Sequence, residues 1–289
     1  MADFDRLDAA AIARGLAASG EALDVKVLER CASTNAELLA RPPQPGGRPA
    51  LLVANEQTAG RGRRGRRWHA SPGRALMFSL RWEFAGDPGR LHGLSLAAGV
   101  SIARTLRELG ARGVCLKWPN DLLAPEAGSI DADGAKLGGI LIETRSGAGR
   151  VSAVIGVGIN CRRTPGLEAK LGRKVAALED SSSPMPARDQ LAVRIVAGLA
   201  RAMRLFDREG FGAFRTDWES LHAYQGAAMR VRTGDGRVVT GIAEGIAEDG
   251  GLLLRNRRGV RSIHSGTVLR GAVLRGAPAR GAAAQRKAA

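Results

Sequence analysis

The chain has 289 residues, a formal net charge of +16 and 44% apolar residues, which is enough for a catalytic domain and a smaller second domain. The charge first suggests a nucleic-acid partner, but ten cations and no acid are concentrated in two segments, 60–68 and 270–289. The amino terminus holds Asp3, Asp5 and Asp8 without an apolar stretch, and no run of residues is long enough to span a membrane. These features exclude a secreted or membrane-embedded class and predict a cytoplasmic protein.

The cysteines and histidines give no sign of a metal site. Cys31, Cys115 and Cys161 are scattered and form no C-x-x-C pair. They are expected to be small buried side chains in a reducing compartment. The four histidines show no ligand spacing, so no metal ligand is predicted.

The first two thirds of the chain alternate between helices and strands. Periodicity and capping signals predict helices at 7–18, from 36 onward with Ser33 or Thr34 as the N-cap, at 91–109 and at 189–206. Apolar and alternating runs predict strands at 25–28, 50–54, 75–82, 114–118, 136–144 and 151–160, with 75–82 half-buried. The short glycine-bearing connection between the last two predicts an antiparallel hairpin. We therefore expect an α+β fold with a mixed or antiparallel sheet and flanking helices.

The texture changes to short strands from about residue 225. Asp235-Gly236 and Asp249-Gly250 lie between alternating runs, which is a strong hairpin signal. The pattern predicts a small SH3-like barrel. The expected domains are a catalytic domain at 1–223, an SH3-like domain at 224–275 and a disordered basic tail at 276–289.

The segment at 60–68 carries five arginines and three glycines. It can be interpreted as a solvated basic loop, a nucleic-acid patch or a lid over a small anionic ligand. It also spells G-x-G-x-x-G, but turn residues follow it instead of a helix, so a dinucleotide-binding fold is rejected. Because like charges repel and glycines add backbone entropy, the loop is expected to be disordered until an anion binds.

Lys117 lies near the end of a predicted strand that Pro119 stops, a position from which a side chain can enter a site. It can also be interpreted as a solvated edge charge, and Asn120 and Asp121 can be simple turn residues. Glycines inside strands, such as Gly139 and Gly156, weaken a sheet unless something approaches it closely. A flat bicyclic ligand lying on the sheet is the predicted reason for them.

In this order, Ser33-Thr34-Asn35, the loop at 60–68, Lys117-Trp118-Pro119-Asn120-Asp121, Lys136-Leu137-Gly138-Gly139 and Gly156-Val157-Gly158 strongly resemble the biotin protein ligases. The resemblance runs from Ser33 to the last predicted strand. It favours the monofunctional form, because the segment before the first strand is too short for a winged-helix DNA-binding domain.

The resemblance implies a two-step reaction with ATP and biotin as substrates and Mg²⁺ accompanying ATP. It implies catalytic roles for Lys117, Arg61 and Arg63. It implies biotin contacts for Ser33, Thr34, Asn35, Gln57, Gly60, Arg61, Gly62, Arg63, Lys117, Gly139 and Gly156. It implies contacts with ATP or the adenylate for Arg63, Arg66, Trp68, Asn120, Asp121 and Asn160.

The expected partner is the biotin carboxyl carrier domain of a carboxylase. No sequence-specific DNA and no membrane are expected, and a homodimer is possible within the family. Two alternatives stay open: a lipoate or octanoate protein ligase-like enzyme, and a non-enzymatic nucleic-acid-binding protein. The second explains the charge but neither the strand glycines nor Lys117.

Overall fold

The structure, a computed structural model, describes residues 6–42, 46–124, 134–147 and 149–269. Its helices are α1 (Ala9–Ala18), α2 (Thr34–Ala40), α3 (Leu94–Glu108), α4 (Leu167–Leu171), α5 (Arg188–Glu209) and α6 (Arg215–Leu221). The strands of the larger sheet are β1 (Asp24–Cys31), β2 (Ala50–Gln57), β3 (Ala75–Ala85), β4 (Cys115–Lys117), β5 (Asp121–Ala124), β6 (Ala135–Gly147) and β7 (Arg150–Asn160). Those of the smaller sheet are β8 (Ala228–Thr233), β9 (Val238–Ile246), β10 (Leu252–Asn256), β11 (Gly259–Ile263) and β12 (Gly266–Val268).

The larger sheet has the strand order β1-β2-β3-β7-β6-β5-β4. The β1–β2 pair is parallel and every other neighbouring pair is antiparallel. Alternate residues of β2 face opposite sides: Leu51 and Val53 join the main core, which also contains residues of α1, α3 and α5, whereas Leu52 packs with Leu38 of α2. The predicted mixed α+β fold and the hairpin between the last two strands are confirmed.

The prediction that the strand at 75–82 is half-buried was wrong. Ser79 is 0% exposed and Arg81 is 7% exposed, although both lie on the face predicted to be open. Helix α2 covers this face, and the Arg81 guanidinium donates to the Arg41 and Pro42 carbonyls at 3.4 and 3.2 Å. The alternation of apolar and polar residues in β3 correctly indicated a polar face. That face is nevertheless buried, because its polar groups are hydrogen-bonded.

The second sheet is antiparallel, in the order β11-β10-β9-β8-β12, as predicted for a small SH3-like domain. Its first strand begins at Ala228. Its apolar residues continue the core of the larger sheet instead of forming a separate one. The predicted tail at 276–289 and most of the polar insertion after β5 lie outside the described residues.

Two hydrogen bonds join the second sheet and its leading segment to the hairpin of β4 and β5. The Trp118 indole N–H donates to the Gly250 carbonyl at 3.1 Å, and the Ala223 N–H donates to the Leu116 carbonyl at 2.9 Å. The described part of the chain contains no helix with the length and apolar character needed to cross a membrane.

Candidate active site

A cavity of about 340 Å³ lies between the larger sheet, the arginine-rich loop, the turn between β4 and β5, and strand β12. Every residue predicted for the site lines it except Gly60 and Asn160. Residues separated by more than two hundred positions in the sequence thus meet around one space. The site has an uncharged end, near the start of α2, and a cationic end.

Gly60 and Asn160 have structural positions next to the cavity. The loop folds back as a narrow hairpin, in which Trp68 N–H donates to the Gly60 carbonyl at 2.9 Å, so Gly60 is at its base. The Asn160 amide donates to the Lys136 and Ala176 carbonyls at 3.3 and 3.1 Å. This amide ties β7 to neighbouring backbone, and Asn160 does not line the main cavity.

The uncharged end is built on the start of α2. Ser33 is the N-cap, and its hydroxyl accepts from the Ala36 N–H. Thr34 donates its backbone N–H to Gln57 Oε1 at 2.8 Å, and its hydroxyl lies 3.1 Å from the same oxygen. Thr34 is 3% exposed, so Gln57 satisfies a buried donor at the edge of the cavity.

Asn35 continues this network on the floor of the cavity. Its Nδ2 donates to the Leu141 carbonyl at 3.2 Å and to Glu143 Oε2 at 2.8 Å. Both partners can only accept, which fixes the orientation of the amide. Its Oδ1 then accepts from the fully buried Ser79 hydroxyl at 2.6 Å. The result is a preorganised set of neutral side chains at the cavity, in which the Glu143 carboxylate helps to hold the Asn35 amide.

The strand glycines make room for protein side chains, which differs from the prediction of a ligand lying directly on them. A Cβ atom at Gly156 would lie 2.2 Å from Asn35 Oδ1, and one at Gly158 would lie 2.6 Å from the Trp68 ring. A Cβ atom at Gly139 would lie 3.8 Å from the Trp68 ring and 3.2 Å from Lys136 Nζ. Trp68 Nε1 is a buried donor without a hydrogen-bond partner in the described residues.

The cationic end surrounds one carboxylate. Asp121 is the only acid among the described residues that line the cavity. It forms an ion pair with Lys136, and its other oxygen lies 4.0 Å from Lys117 Nζ. Both lysine side chains are less than one fifth exposed. Two partly buried ammonium groups sharing one carboxylate leave an excess of positive charge for an anionic ligand.

Arg63 completes this end from the loop. Its guanidinium donates to Asn120 Oδ1 at 3.4 Å, while the Asn120 amide donates to the Ile140 carbonyl at 2.7 Å. Burial lowers the pKa of Arg63, and the charges of Arg64 and Arg66 lower it further, against the opposing effect of Asp121. A group whose charged form is disfavoured by its surroundings gains from an arriving anion.

The cavity is also lined by residues to which no sequence pattern gave a role: Lys136, Gly158, Arg173 and the residues of β12. Lys136 begins the run Lys-Leu-Gly-Gly, whose glycines drew attention although its lysine did not. Strand β12 brings Gly266 and Thr267 to the site, yet its uncharged sequence carries no local signal. Only the docking of the second sheet reveals this contribution.

Comparisons with known proteins identify the class of protein to which this fold and cavity belong, the biotin and lipoate protein ligases. A model described as the Biotin/lipoate A/B protein ligase family matches residues 28–160. A second, the Biotin protein ligase C terminal domain, matches residues 226–271.

The bifunctional ligase/repressor BirA of Escherichia coli is 35% identical over 231 residues, which cover 80% of this chain and 68% of that protein. The biotin--[acetyl-CoA-carboxylase] ligase of Paracoccus denitrificans is 32% identical over 256 residues, covering 84% of this chain and 98% of that protein. The biotin protein ligase from Aquifex aeolicus, solved in complex with biotin and ATP, has a TM-score of 0.68 and 26% identity, covering 86% of this chain and 97% of that one. The chain belongs to the biotin protein ligase family.

Proposed function

We propose that this protein attaches biotin to a lysine of a biotin carboxyl carrier domain in two steps. The biotin carboxylate first attacks the α-phosphorus of ATP, forming biotinyl-5′-AMP and releasing pyrophosphate. The lysine amine of the carrier then attacks the carbonyl carbon of this mixed anhydride, AMP leaves, and the amine proton passes to solvent. Family membership and the naming of relatives as biotin--[acetyl-CoA-carboxylase] ligases support this reaction.

The observation that carries the proposal is the division of one cavity into a neutral polar end and a cationic end. Biotin has the same polarity, with an uncharged ureido ring at one end and a carboxylate at the other. Gln57 Nε2 faces the Met77 sulfur at 3.3 Å, which is a weak acceptor. A ureido oxygen is a better partner for this donor, so the ring fits the end formed by Ser33, Thr34, Asn35 and Gln57.

The first step needs positioning and charge stabilisation more than proton transfer. We assign those tasks to Lys117, Arg61 and Arg63 at the biotin carboxylate and the α-phosphate. A charge-assisted hydrogen bond of this kind contributes roughly 1.5–3 kcal/mol. Arg66, Trp68, Asn120 and Asp121 are assigned to the ATP and adenylate side. Gly60 and Asn160 act through the loop base and the β7 backbone instead.

Mg²⁺ belongs to the proposal as a companion of ATP. Within the described residues no group of three or more His, Cys, Asp or Glu side chains could hold a metal ion. Asp121, the acid at the cavity, is already engaged by Lys136. The residues present therefore fit a cation that arrives on the phosphates and offsets their charge. The cationic side chains at the cavity would orient the same phosphates.

The free thiols of Cys31 and Cys115 fit a reducing, cytoplasmic environment. Burial raises the pKa of Cys31 and of Cys115 to about 11. Such thiols stay protonated at neutral pH and are poor nucleophiles. We therefore assign no catalytic role to cysteine.

The proposal is tested by incubating the protein with ¹⁴C-biotin, MgATP and a purified carrier domain, and following label and pyrophosphate separately. We expect label on the wild-type carrier, none on a carrier whose acceptor lysine is arginine, and pyrophosphate release without any carrier. Equal transfer of lipoate or octanoate would favour the lipoate ligase alternative. Failure with every acid would leave the nucleic-acid-binding alternative.

Two partner assignments belong to the same proposal. We expect only salt-sensitive, sequence-independent binding to DNA, because the cationic loop offers charge without aromatic side chains between its arginines. An operator footprint that persists at moderate salt would contradict this. A ligand-dependent homodimer is tested by sedimentation with and without biotin and MgATP.

A further inference from the structure

The tip of the arginine-rich loop contacts the second sheet. Arg64 Nη1 donates to Thr267 Oγ1 at 2.9 Å, and its Nη2 donates to Ser265 Oγ at 3.2 Å. The donor and its acceptors are separated by 203 and 201 residues in the sequence. The contact therefore joins the loop that covers the cavity to the second sheet, which is formed by a much later part of the chain.

The backbone at Arg64 supports a specific role for this side chain. With φ 57° and ψ 39°, Arg64 has a left-handed conformation, and it is the only non-glycine residue with positive φ in the described ranges. L-residues other than glycine, asparagine and aspartate rarely adopt it. The turn at Arg63–Gly65 aims the Arg64 side chain at β12, whereas Arg63 and Arg67 bond to Asn120 and to the Thr58 carbonyl.

The surface that receives Arg64 is firmly attached. Thr267 pairs with Arg232 of β8, and the Leu269 N–H donates to the Arg230 carbonyl at 2.9 Å. The Trp118–Gly250 hydrogen bond fixes the same sheet to the hairpin that carries Lys117. The acceptors of Arg64 are thus held at a set distance from the cationic end of the cavity.

The chemistry of the acceptors suits a cover over an anionic ligand. Hydroxyl oxygens accept from a guanidinium without neutralising it, so the loop keeps its five positive charges. A carboxylate at the same place would compete with the ligand for the neighbouring arginines. The contact can therefore offset the mutual repulsion of the arginines while leaving their charge available.

We propose that Arg64, Ser265 and Thr267 form a latch by which the second sheet holds the loop closed over the cavity. This inference rests on the proposed function, because what the latch retains is biotinyl-5′-AMP. Arg64 is a positioning residue and does not contact the reacting atoms. The second sheet then sets the lifetime of the bound intermediate.

The test uses Arg64→Asn, which tolerates the left-handed backbone but cannot reach β12, and Thr267→Val, which keeps the shape but loses the acceptor. Release of preformed adenylate from the full-length protein is measured by stopped-flow trapping. We expect release to accelerate about fivefold to tenfold in each variant, the effect of losing one or two net hydrogen bonds. The double variant should be no faster than the faster single one, and Arg64→Lys should be intermediate.

Arg67→Asn is the matched control, because it removes a loop charge whose hydrogen bond goes to the Thr58 carbonyl, just after β2, and not to the second sheet. Its effect on release should multiply with that of Thr267→Val. Unchanged release in Arg64→Asn, or multiplicative effects of Arg64→Asn and Thr267→Val, would overturn the latch.

A measurement without ligand separates the latch from the function. The N–H groups of Gly62 and Trp68 donate within the loop, and their hydrogen exchange should accelerate in Arg64→Asn but not in Arg237→Asn, a change in the turn between β8 and β9. If the wild-type protein makes no adenylate, the proposed function fails while this exchange still decides the latch. Equal exchange in wild type and Arg64→Asn would refute it.

Discussion

Asn35 Oδ1 occupies the space where residue 156 would carry a Cβ atom, 2.2 Å from that position. Gly156→Ala should therefore displace the Asn35 amide and break its bonds to Ser79 and Glu143. Overpacking together with unsatisfied polar groups predicts a loss of about 1–3 kcal/mol in the free energy of unfolding. Urea titration measures the free energy of unfolding, and biotin affinity reports the displacement of the Asn35 amide. Gly147→Ala is the control, because a Cβ there has nothing within 4 Å. Equal stability of the two variants would contradict the steric argument.

Lys117→Ala should stop adenylate formation while the protein stays folded. Lys117 ends β4 and is 4.0 Å from Asp121 Oδ2, so its loss removes positive charge from the transition state. We expect pyrophosphate release to fall by about 10²–10³-fold, with an unchanged melting temperature. Lys26→Ala, an exposed lysine on β1, should behave as wild type. Near-normal turnover of folded Lys117→Ala would remove Lys117 from the mechanism.

Arg63→Gly should loosen the loop more than it slows the chemistry. The change removes the Arg63–Asn120 hydrogen bond and adds backbone entropy at the loop tip. Biotinyl-5′-AMP should escape and label lysines of bystander proteins such as serum albumin. The half-life of the enzyme-bound adenylate and bystander labelling are the measurements, with Arg237→Gly as the control. If protease cleavage of the loop is the same with and without biotin and ATP, closure does not depend on ligand.

His222 predicts a pH-dependent stability. Burial lowers its pKa from 6.5 to about 4, and its ring stacks on Trp218 with centroids 4.4 Å apart. The His222 ring of the unfolded chain binds a proton at higher pH than that of the folded chain. The contribution of neutral His222 to the free energy of unfolding is therefore fully present above pH 6.5 and is lost as the pH falls toward 4. The loss should approach about 3 kcal/mol. His222→Phe, which keeps the stacking, should flatten the profile of unfolding free energy in this window. His92→Gln, at an exposed histidine, should not.

The strands of the larger sheet and the hairpins of the second sheet could be predicted from the sequence, because each has a local pattern. Lys117 was found in the same way, from a strand end followed by proline. The alternation of β3 did not reveal that its polar face is buried, since that depends on α2 and on the carbonyls that receive Arg81.

The strand glycines correctly indicated a close approach, but nothing local could say that Asn35 and Trp68 make it. The position of Asn160 at a strand end did not decide between the cavity and the backbone carbonyls that its amide contacts. The part played by Ser265 and Thr267 depends on how two sheets dock. Contacts across two hundred residues leave no trace in a local pattern.

Because β12 forms part of the cavity wall, the site is assembled from both early and late parts of the polypeptide. Lys117 and the loop leave the ribosome well before residues 266–269, which line the same space. While β12 is still inside the ribosome, the nascent chain therefore has the cationic side chains of the site but lacks the part of the cavity wall that encloses them. Translation that stops before this strand should yield a protein in which the activated acyl group, if formed at all, is open to water.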